Sequence, residues 1–110
     1  MNKLFISIAI ATMIFLLQLP FAMAAEVTNG SEIFQTNCAG CHANGGNIVR
    51  RGKNLKQRAL HRNQVDNLSA VVSLVTYGKN NMPAYAERLS SQQIESVSAY
   101  VLEQAKLGWH

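Results

Sequence analysis

The sequence predicts an all-α domain, on three observations. No pair of segments alternates apolar and polar residues with the period of two that is typical of half-buried strands. Two segments instead space their apolar residues by three and four, and these two and a third segment are each preceded by a residue type that caps helices. No internal repeat is visible. We therefore expect one small unit built from helices.

The first residues have the pattern of a secretory signal peptide. Lys3 supplies a positive charge, residues 4–17 are largely apolar, and an A-x-A site ends at Ala24. An uncleaved membrane anchor is the alternative, but polar and proline residues interrupt the run before it reaches the roughly 20 apolar residues of a span. We expect cleavage after Ala24, so that residues 1–24 are a signal peptide and residues 25–110 form one domain.

The first helix of this domain is predicted over residues 29–38. Asn29 and Glu32 have the spacing of a capping box, in which the N-cap and the third helical residue satisfy free backbone N–H groups. Ile33 and Phe34 then fall on the buried side, where we expect ordinary core packing.

Cys38, Cys41 and His42 follow directly as a C-x-x-C-H motif, which is the attachment pattern of c-type haem. Each thiol can bond to one vinyl group of the porphyrin, and the adjoining histidine is then placed under the iron. The 86 residues after Ala24 can form only a small hydrophobic core, and domains of this size commonly need a metal, a disulfide or another cross-link for stability. A covalent haem would provide that stabilisation.

Three alternatives for the two cysteines are open. A thioredoxin-like redox pair should follow a buried strand and have a lowered thiol pKa. A zinc site needs four ligands, and only His61 and His110 remain to complete it. A disulfide is permitted in an exported protein, but it would close a very short loop and leave His42 unexplained. We favour the haem.

Residues 43–47 are predicted to form a loop beside the haem, because glycines and asparagines favour turns and positive φ. The stretch from residue 50 to residue 62 then carries six positive charges and no negative ones. After Ala24 the chain has nine basic and six acidic residues, a formal charge of +3. This basic stretch is either a solvated face or a docking surface for an acidic partner. Nucleic acid is not expected, because no aromatic residue is interleaved with the arginines.

Two further helices are predicted. The first has its cap at Asp66 or Asn67, continues through valines and leucines spaced by three and four, and stops at Gly78. A proline-stiffened loop follows it. The last helix starts at Ser90 with a second capping-box pattern and stops at Gly108.

The residue that would fill the sixth position of the iron decides the activity. Met82 is the only methionine outside residues 1–24, and it lies in polar loop sequence rather than on a helix face. His61 is the rival, although its basic neighbours favour a solvated side chain, and His110 is terminal. With His42 and Met82 both bound, no site is open, so we expect an electron-transfer protein and not an enzyme. A peroxidase-like enzyme or a haem sensor stays open if Met82 dissociates.

These residues resemble the cytochrome c6 family of cyanobacteria and algae. The resemblance covers nearly the whole chain after residue 24. It rests on these matches: Asn29-Gly30, Phe34, Cys38-Ala39-Gly40-Cys41-His42, Gly45-Gly46-Asn47-Ile48-Val49, Gly78-Lys79-Asn80, Met82-Pro83-Ala84, Gln93-Ile94, Ala99-Tyr100-Val101 and Gly108-Trp109.

The resemblance implies a class I cytochrome c fold of about four helices around one covalent haem c. Cys38 and Cys41 would bind the haem covalently, and His42 and Met82 would be the axial ligands of its iron. The implied role is that of a soluble carrier of photosynthetic electron transport between the cytochrome b6f complex and photosystem I. It would work in the thylakoid lumen, with no membrane span once processed. A bacterial periplasm, with a terminal oxidase as partner, is the alternative.

The resemblance also assigns contacts around the haem. Gly30 and Phe34 should cross the last helix near Tyr100, and Asn47 and Lys53 should lie near a haem propionate.

Two departures from the family pattern bear on potential and docking. Typical members carry a glutamine just before the Gly-Lys-Asn segment, where this chain has Leu74-Val75-Thr76. Apolar groups in place of a polar neighbour of the haem change which oxidation state is stabilised, which suggests a lower-potential c6-like variant. Arg50 and Arg51 stand where the family usually carries less charge.

Overall fold

The computed structural model describes residues 28–110, and the predicted signal peptide and its cleavage site lie outside them. Within this range there are five helices and no strand, so the all-α prediction is confirmed. They are α1 (Gly30–Asn37), α2 (Ala39–His42), α3 (Gln57–Arg62), α4 (Leu68–Tyr77) and α5 (Ser91–Leu107), with 3₁₀ turns at Ala43–Gly45 and Arg51–Lys53. None of the helices in residues 28–110 is long and apolar enough to cross a membrane.

Helix α1 begins at its predicted cap and crosses α5 at close range. The Asn29 side-chain oxygen accepts hydrogen bonds from the backbone N–H groups of Ser31, at 3.0 Å, and Glu32, at 3.4 Å. A Cβ atom at Gly30 would clash with the Ser96 carbonyl oxygen and would lie 2.7 Å from Cβ of Tyr100. Only glycine therefore lets the two helices approach this closely.

Phe34 lies at the centre of this crossing and is 1% exposed. Its ring centroid is 5.4 Å from that of Tyr100, in a tilted arrangement that aromatic pairs favour. The predicted contact of Gly30 and Phe34 with the last helix near Tyr100 is thus confirmed.

Helix α4 packs its valines against α5. Asn67 is the cap, because its side-chain oxygen accepts a hydrogen bond from the N–H of Ala70 at 2.9 Å. Asp66, the other predicted cap, instead pairs with His61. Val71 and Val75 are buried in one cluster with apolar residues of α5.

Helix α5 begins and ends at the residues that the sequence predicted. The capping box of Ser90 and Gln93 is closed in both directions, and Gly108 ends the helix in the left-handed conformation. The N–H of Gln93 donates to the Ser90 hydroxyl at 3.1 Å, and the Gln93 side chain accepts from the Ser90 N–H at 2.9 Å. These bonds satisfy backbone groups that a helix start leaves free.

Two local features differ from the prediction. Residues 43–47 are not wholly irregular, because a 3₁₀ turn covers Ala43–Gly45; the expected positive φ does occur, at 55° for Asn44 and 76° for Gly45. Helix α3 lies inside the basic stretch and has two buried residues, Ala59 and Leu60. Its apolar face is only two residues wide, so the surrounding charges hide its periodicity.

Candidate functional site

A cavity of about 330 Å³ lies between α1, α4, α5 and the loops that follow α2 and α4. This volume is within the range of small-molecule sites, which is roughly 300–1,000 Å³. All six residues predicted to touch haem or iron line it: Cys38, Cys41, His42, Asn47, Lys53 and Met82. The fold therefore gathers residues that are up to 44 positions apart in sequence around one space.

A single helical turn presents the C-x-x-C-H motif to the cavity. The N–H groups of Cys41 and His42 both donate to the Cys38 carbonyl oxygen, at 3.1 and 2.9 Å. Because three or four residues span one helical turn, this geometry brings both cysteines and the histidine to the same side. The spacing of the motif is thus explained by the helix that carries it.

His42 is oriented by a backbone carbonyl. Its Nδ1 lies 2.7 Å from the Gly46 carbonyl oxygen, and a carbonyl can only accept, so Nδ1 carries the proton and donates. The lone pair is then on Nε2, which is the form in which a neutral imidazole binds a metal. A metal-binding histidine whose other nitrogen donates to a carbonyl fits an axial ligand of haem iron.

The two cysteines differ in their surroundings. Cys38 is half-buried, and desolvation raises the pKa of its thiol to about 11, whereas Cys41 is exposed. A thioredoxin-like pair needs a lowered thiol pKa, so Cys38 does not fit that alternative. The two sulfur atoms are not joined in a disulfide. No cluster of three or more His, Cys, Asp or Glu side chains suited to a metal ion occurs within residues 28–110.

Met82 is carried by a tight turn at the end of α4. Lys79 and Met82 exchange two backbone hydrogen bonds, of 3.0 and 2.9 Å. The turn is fastened to α4 by the N–H of Tyr85, which donates to the Val75 carbonyl oxygen at 2.9 Å. The thioether is half-buried and packs against the core cluster. A methionine sulfur held in this way fits the second axial position.

Neither remaining histidine lines the cavity. The His61 side chain is 82% exposed, and its Nδ1 lies 2.9 Å from a carboxylate oxygen of Asp66. The hydrogen bond from His61 lowers the pKa of Asp66. His110 is exposed at the end of the chain. The structure therefore brings Met82, and not His61, to the cavity that holds His42.

Asn47 and Lys53 lie at the cavity, but their polar atoms organise the loop. The Asn47 side-chain oxygen accepts from the N–H groups of Val49 and Arg50, and its amide nitrogen donates to the Lys53 carbonyl oxygen at 3.1 Å. Lys53 Nζ donates to the Asn63 side chain at 2.9 Å. The two side chains that were predicted to contact a propionate are therefore hydrogen-bonded to groups of the protein itself. The loop that they stabilise forms part of the cavity wall.

The structure shows which of residues 74–76, where the sequence departs from the family pattern, line the cavity. Leu74 and Val75 line the cavity, whereas the Thr76 hydroxyl donates to the Val72 carbonyl oxygen within α4 at 2.6 Å. Leu74 and Val75 are therefore the apolar groups that would face the haem.

Tyr85 is a cavity residue that the sequence analysis missed. It is 7% exposed, and its O–H donates to the Asn37 carbonyl oxygen at 2.9 Å. The partners are 48 residues apart, so no local pattern links them. An aromatic residue just after Met82-Pro83-Ala84 is the signal that could have suggested it.

Comparison with known proteins gives the family. A model of the family described as cytochrome c oxidase, cbb3-type, subunit III, matches residues 25–101. "Cytochrome c6-like" of Nostoc sp. (strain PCC 7120) is 50% identical over 107 residues, which are 96% of each chain. Cytochrome c6 of Thermostichus vulcanus is 47% identical over 110 residues, covering 99% of this chain and 98% of that one. This chain belongs to the cytochrome c6 family.

The solved structures agree with this membership of the cytochrome c6 family. The crystal structure of cytochrome c6C from Synechococcus sp. PCC 7002 superposes with a TM-score of 0.71 and 56% identity, over 73% of this chain and 98% of that chain. The class I cytochrome c fold is thereby confirmed. Members of the family carry one covalently bound haem c and are electron carriers rather than enzymes. The cavity and the donor atoms around it fit that group.

Proposed function

We propose that this protein shuttles single electrons between the cytochrome b6f complex and photosystem I, using His42 and Met82 as the axial ligands of its haem iron. The observation that carries the proposal is that the Nδ1-protonated His42 and the half-buried Met82 line one cavity, whereas His61 is turned to solvent. If the chain supplies both ligands, no position on the iron would be left open to a substrate, and the haem would supply one-electron chemistry only.

Each cavity residue has a defined task. Cys38 and Cys41, which line the cavity, would hold the haem through thioether bonds, and the hydrogen bond from His42 Nδ1 to the Gly46 carbonyl would leave Nε2 free to bind the iron. The Lys79–Met82 turn presents the thioether sulfur. When bound, haem c supplies one-electron chemistry at its iron. We propose that Asn47 and Lys53, which also line the cavity, contact a propionate of the haem.

The basic stretch is proposed as the docking surface. Its six basic residues are all exposed: Arg50, Arg51, Lys53, Lys56, Arg58 and Arg62. Two of them, Arg50 and Lys53, line the cavity. A positive surface beside the redox centre steers an acidic partner into a productive orientation and gives fast, salt-sensitive encounters. Interfaces of redox partners are small, which suits a carrier that must dissociate after each transfer.

Processing after Ala24 and delivery to the thylakoid lumen belong to the same proposal. The family match starts at residue 25, and the c6C crystal structure corresponds to 73% of this chain but 98% of its own length. Both support a folded unit that begins near residue 25.

A second candidate role is delivery of electrons to a terminal oxidase in a periplasm-like compartment. The observation that favours it is the match to the oxidase subunit family. The apolar lining by Leu74 and Val75 supports a midpoint potential below that of typical members, which would suit a different partner.

The ferric absorption spectrum of the purified holoprotein tests the ligand set. We expect a weak long-wavelength sulfur-to-iron band at neutral pH that azide at moderate concentration leaves unchanged. Met82→Ala should abolish the band, lower the potential and admit azide, because a thioether favours ferrous iron and its loss opens a site. His61→Ala is the matched control and should keep the band. Prompt azide binding to the unaltered protein would instead favour the enzyme or sensor alternatives.

Flash-induced kinetics with isolated complexes test the partners. We expect the reduced holoprotein to re-reduce photosystem I and the oxidised form to accept electrons from the b6f complex. A redox titration then separates the roles, because a potential too low to accept electrons from the b6f complex contradicts the photosynthetic shuttle.

A further inference from the structure

Trp109 lies beyond the end of α5, where the chain turns back over the molecule. Gly108 and Trp109 both have positive φ, 77° and 63°. Glycine adopts this conformation freely, but for a bulky residue it is strained and persists only where surrounding contacts hold it. The contacts of the indole must therefore hold the backbone in this conformation.

The indole ring is fixed on two sides. Its centroid lies 5.1 Å from that of Phe34 and 6.1 Å from that of Tyr100, the latter in an edge-on arrangement. Its Nε1–H donates to the Leu55 carbonyl oxygen at 3.0 Å, across 54 residues of sequence. A Cβ atom at Gly45 would clash with the ring, so the backbone of Gly45 lies directly against it.

These contacts meet at the base of one loop, residues 45–55, which we call the crevice loop. The Leu55 N–H donates to the Gly45 carbonyl oxygen at 2.8 Å, so the two ends of the loop are joined to each other and to Trp109. Between its ends the loop contributes Asn47, Lys53 and other residues to the cavity wall. Trp109 itself does not line the cavity.

We propose that Trp109 is a positioning residue that holds the crevice loop closed over the haem and thereby limits the access of water to it. The inference rests on the haem site proposed above. Water stabilises the ferric state, which carries more charge, so the burial provided by a closed loop keeps the potential higher. Gly46, whose carbonyl accepts from His42, is also held locally by its N–H bond to Ala43, so we expect the His42–Gly46 bond to survive the loss of the Trp109 contacts.

Two variants of the holoprotein separate the ring packing of Trp109 from its hydrogen bond to Leu55. Trp109→Phe keeps an aromatic ring against Phe34 and Tyr100 but removes the donor to Leu55. Trp109→Leu removes both. We expect the amide hydrogen of Leu55 to exchange faster in both variants, by roughly 2- to 13-fold in Trp109→Phe, the range that the net contribution of one hydrogen bond represents. The midpoint potential should fall in the order unaltered protein, Trp109→Phe, Trp109→Leu.

Ser90→Ala is the control for a general loss of stability. The substitution removes the cap at the other end of the same helix, where the Ser90 hydroxyl accepts from the N–H of Gln93. It should therefore leave the potential unchanged, and the Leu55 amide should exchange only through global unfolding. His110→Ala controls for changes at the chain terminus.

The proposal is overturned if Trp109→Phe leaves Leu55 exchange and the potential at the values of the unaltered protein. It is equally overturned if Ser90→Ala lowers the potential as much as the Trp109 variants do. Exchange at Leu55 reports the loop without reference to ligand or partner, so this outcome is distinct from a failure of the axial-ligand test. If Trp109→Leu does not fold, Trp109→Phe alone decides.

Discussion

At the scale of single residues, the carbonyl group of Gly46 selects the chemistry of His42. Because the carbonyl accepts the Nδ1 proton at 2.7 Å, the ring cannot turn away without losing a hydrogen bond of about 1 kcal/mol. The turn that places this carbonyl needs positive φ at Asn44 and Gly45, which asparagine and glycine tolerate. The residues after the motif thus complete the iron ligand.

Leu74→Gln tests the tuning of the haem by its neighbours. We expect the substitution to raise the midpoint potential toward that of typical family members, because an amide that turns its N–H end to the iron disfavours the additional charge of the ferric state. A redox titration of the holoprotein measures the effect. Ser73→Gln places the same amide on an exposed position of α4 and should leave the potential unchanged. Equal potentials for Leu74→Gln and the unaltered protein would contradict the role of Leu74.

Tyr85→Phe tests the long-range bond beneath the motif. Without the hydroxyl, the Asn37 carbonyl oxygen at the end of α1 loses its side-chain donor, so we expect a loss of about 1 kcal/mol in the free energy of unfolding. Denaturant unfolding of the holoprotein at pH 7 measures it. Tyr77→Phe is the matched control, because Tyr77 is 76% exposed and its change should stay within about 0.5 kcal/mol.

The same bond predicts a pH dependence. Desolvation by burial raises the pKa of Tyr85 above its ordinary value near 10. The folded state thus favours the protonated phenol, and this contribution is present below the ordinary pKa and declines as the pH rises through the raised value. The stability difference between the unaltered protein and Tyr85→Phe should therefore shrink in strongly alkaline buffer. A difference that grows there would contradict the assignment.

At the scale of elements, the end of α4 sets the position of Met82. Gly78 has φ 69° and ψ 177°, a conformation that is almost confined to glycine. A Cβ atom there would lie 2.6 Å from the Met82 carbonyl oxygen and 2.8 Å from the Ala84 nitrogen. The chain can therefore leave the helix and fold back with Met82 only because residue 78 has no side chain.

Gly78→Ala should disturb both stability and ligation. The strain of the backbone predicts a loss of about 1–3 kcal/mol, and the displaced turn should weaken the sulfur-to-iron band of the ferric spectrum. Denaturant unfolding and absorption spectroscopy measure the two effects. Gly52→Ala is the control, because nothing lies within 4 Å of its added Cβ and its φ is not in the left-handed range. A Gly78→Ala variant as stable as Gly52→Ala would show that the turn can relax.

Helices with a cap and regular apolar spacing within one segment could be predicted from the sequence. Contacts between residues that are far apart in the sequence could not. Helices α4 and α5 are predictable because a cap, apolar spacing and a terminating glycine all lie within one segment of each, and α1 because a capping pattern precedes it. Helix α3 was missed because it buries only Ala59 and Leu60 among charged residues. The Tyr85 bond to Asn37 and the Trp109 bond to Leu55 join residues 48 and 54 positions apart, and only the folded chain reveals them. The haem ligands could be proposed from sequence because each residue type is scarce after residue 24.

At the scale of the whole molecule, the basic stretch gives the surface an uneven charge. Six of the nine basic residues after residue 24 lie between residues 50 and 62, and no acidic residue is among them. Charge concentrated on one side orients an approaching partner, whereas the same charge spread evenly would only attract it.

The rate of electron transfer to a small anionic oxidant such as ferricyanide should reveal this asymmetry. We expect the second-order rate constant of the reduced holoprotein to fall as ionic strength rises, because salt screens the attraction. Arg58→Glu should lower the rate at low salt by roughly two- to fourfold. Lys106→Glu changes the net charge equally but lies on α5, outside the basic stretch, and should have a smaller effect. Stopped-flow kinetics with equal effects from both variants would contradict a localised docking surface.

The backbone anchoring of both proposed ligands also bears on the speed of transfer. His42 is held by the Gly46 carbonyl, and Met82 by two hydrogen bonds to Lys79 within a turn that is itself fastened to α4. Neither ligand has to be repositioned when the iron changes its charge, because the polar groups around it are already in place. The reorganisation energy of the chain should therefore be small. This protein would then exchange electrons rapidly even when the difference in potential between donor and acceptor is slight.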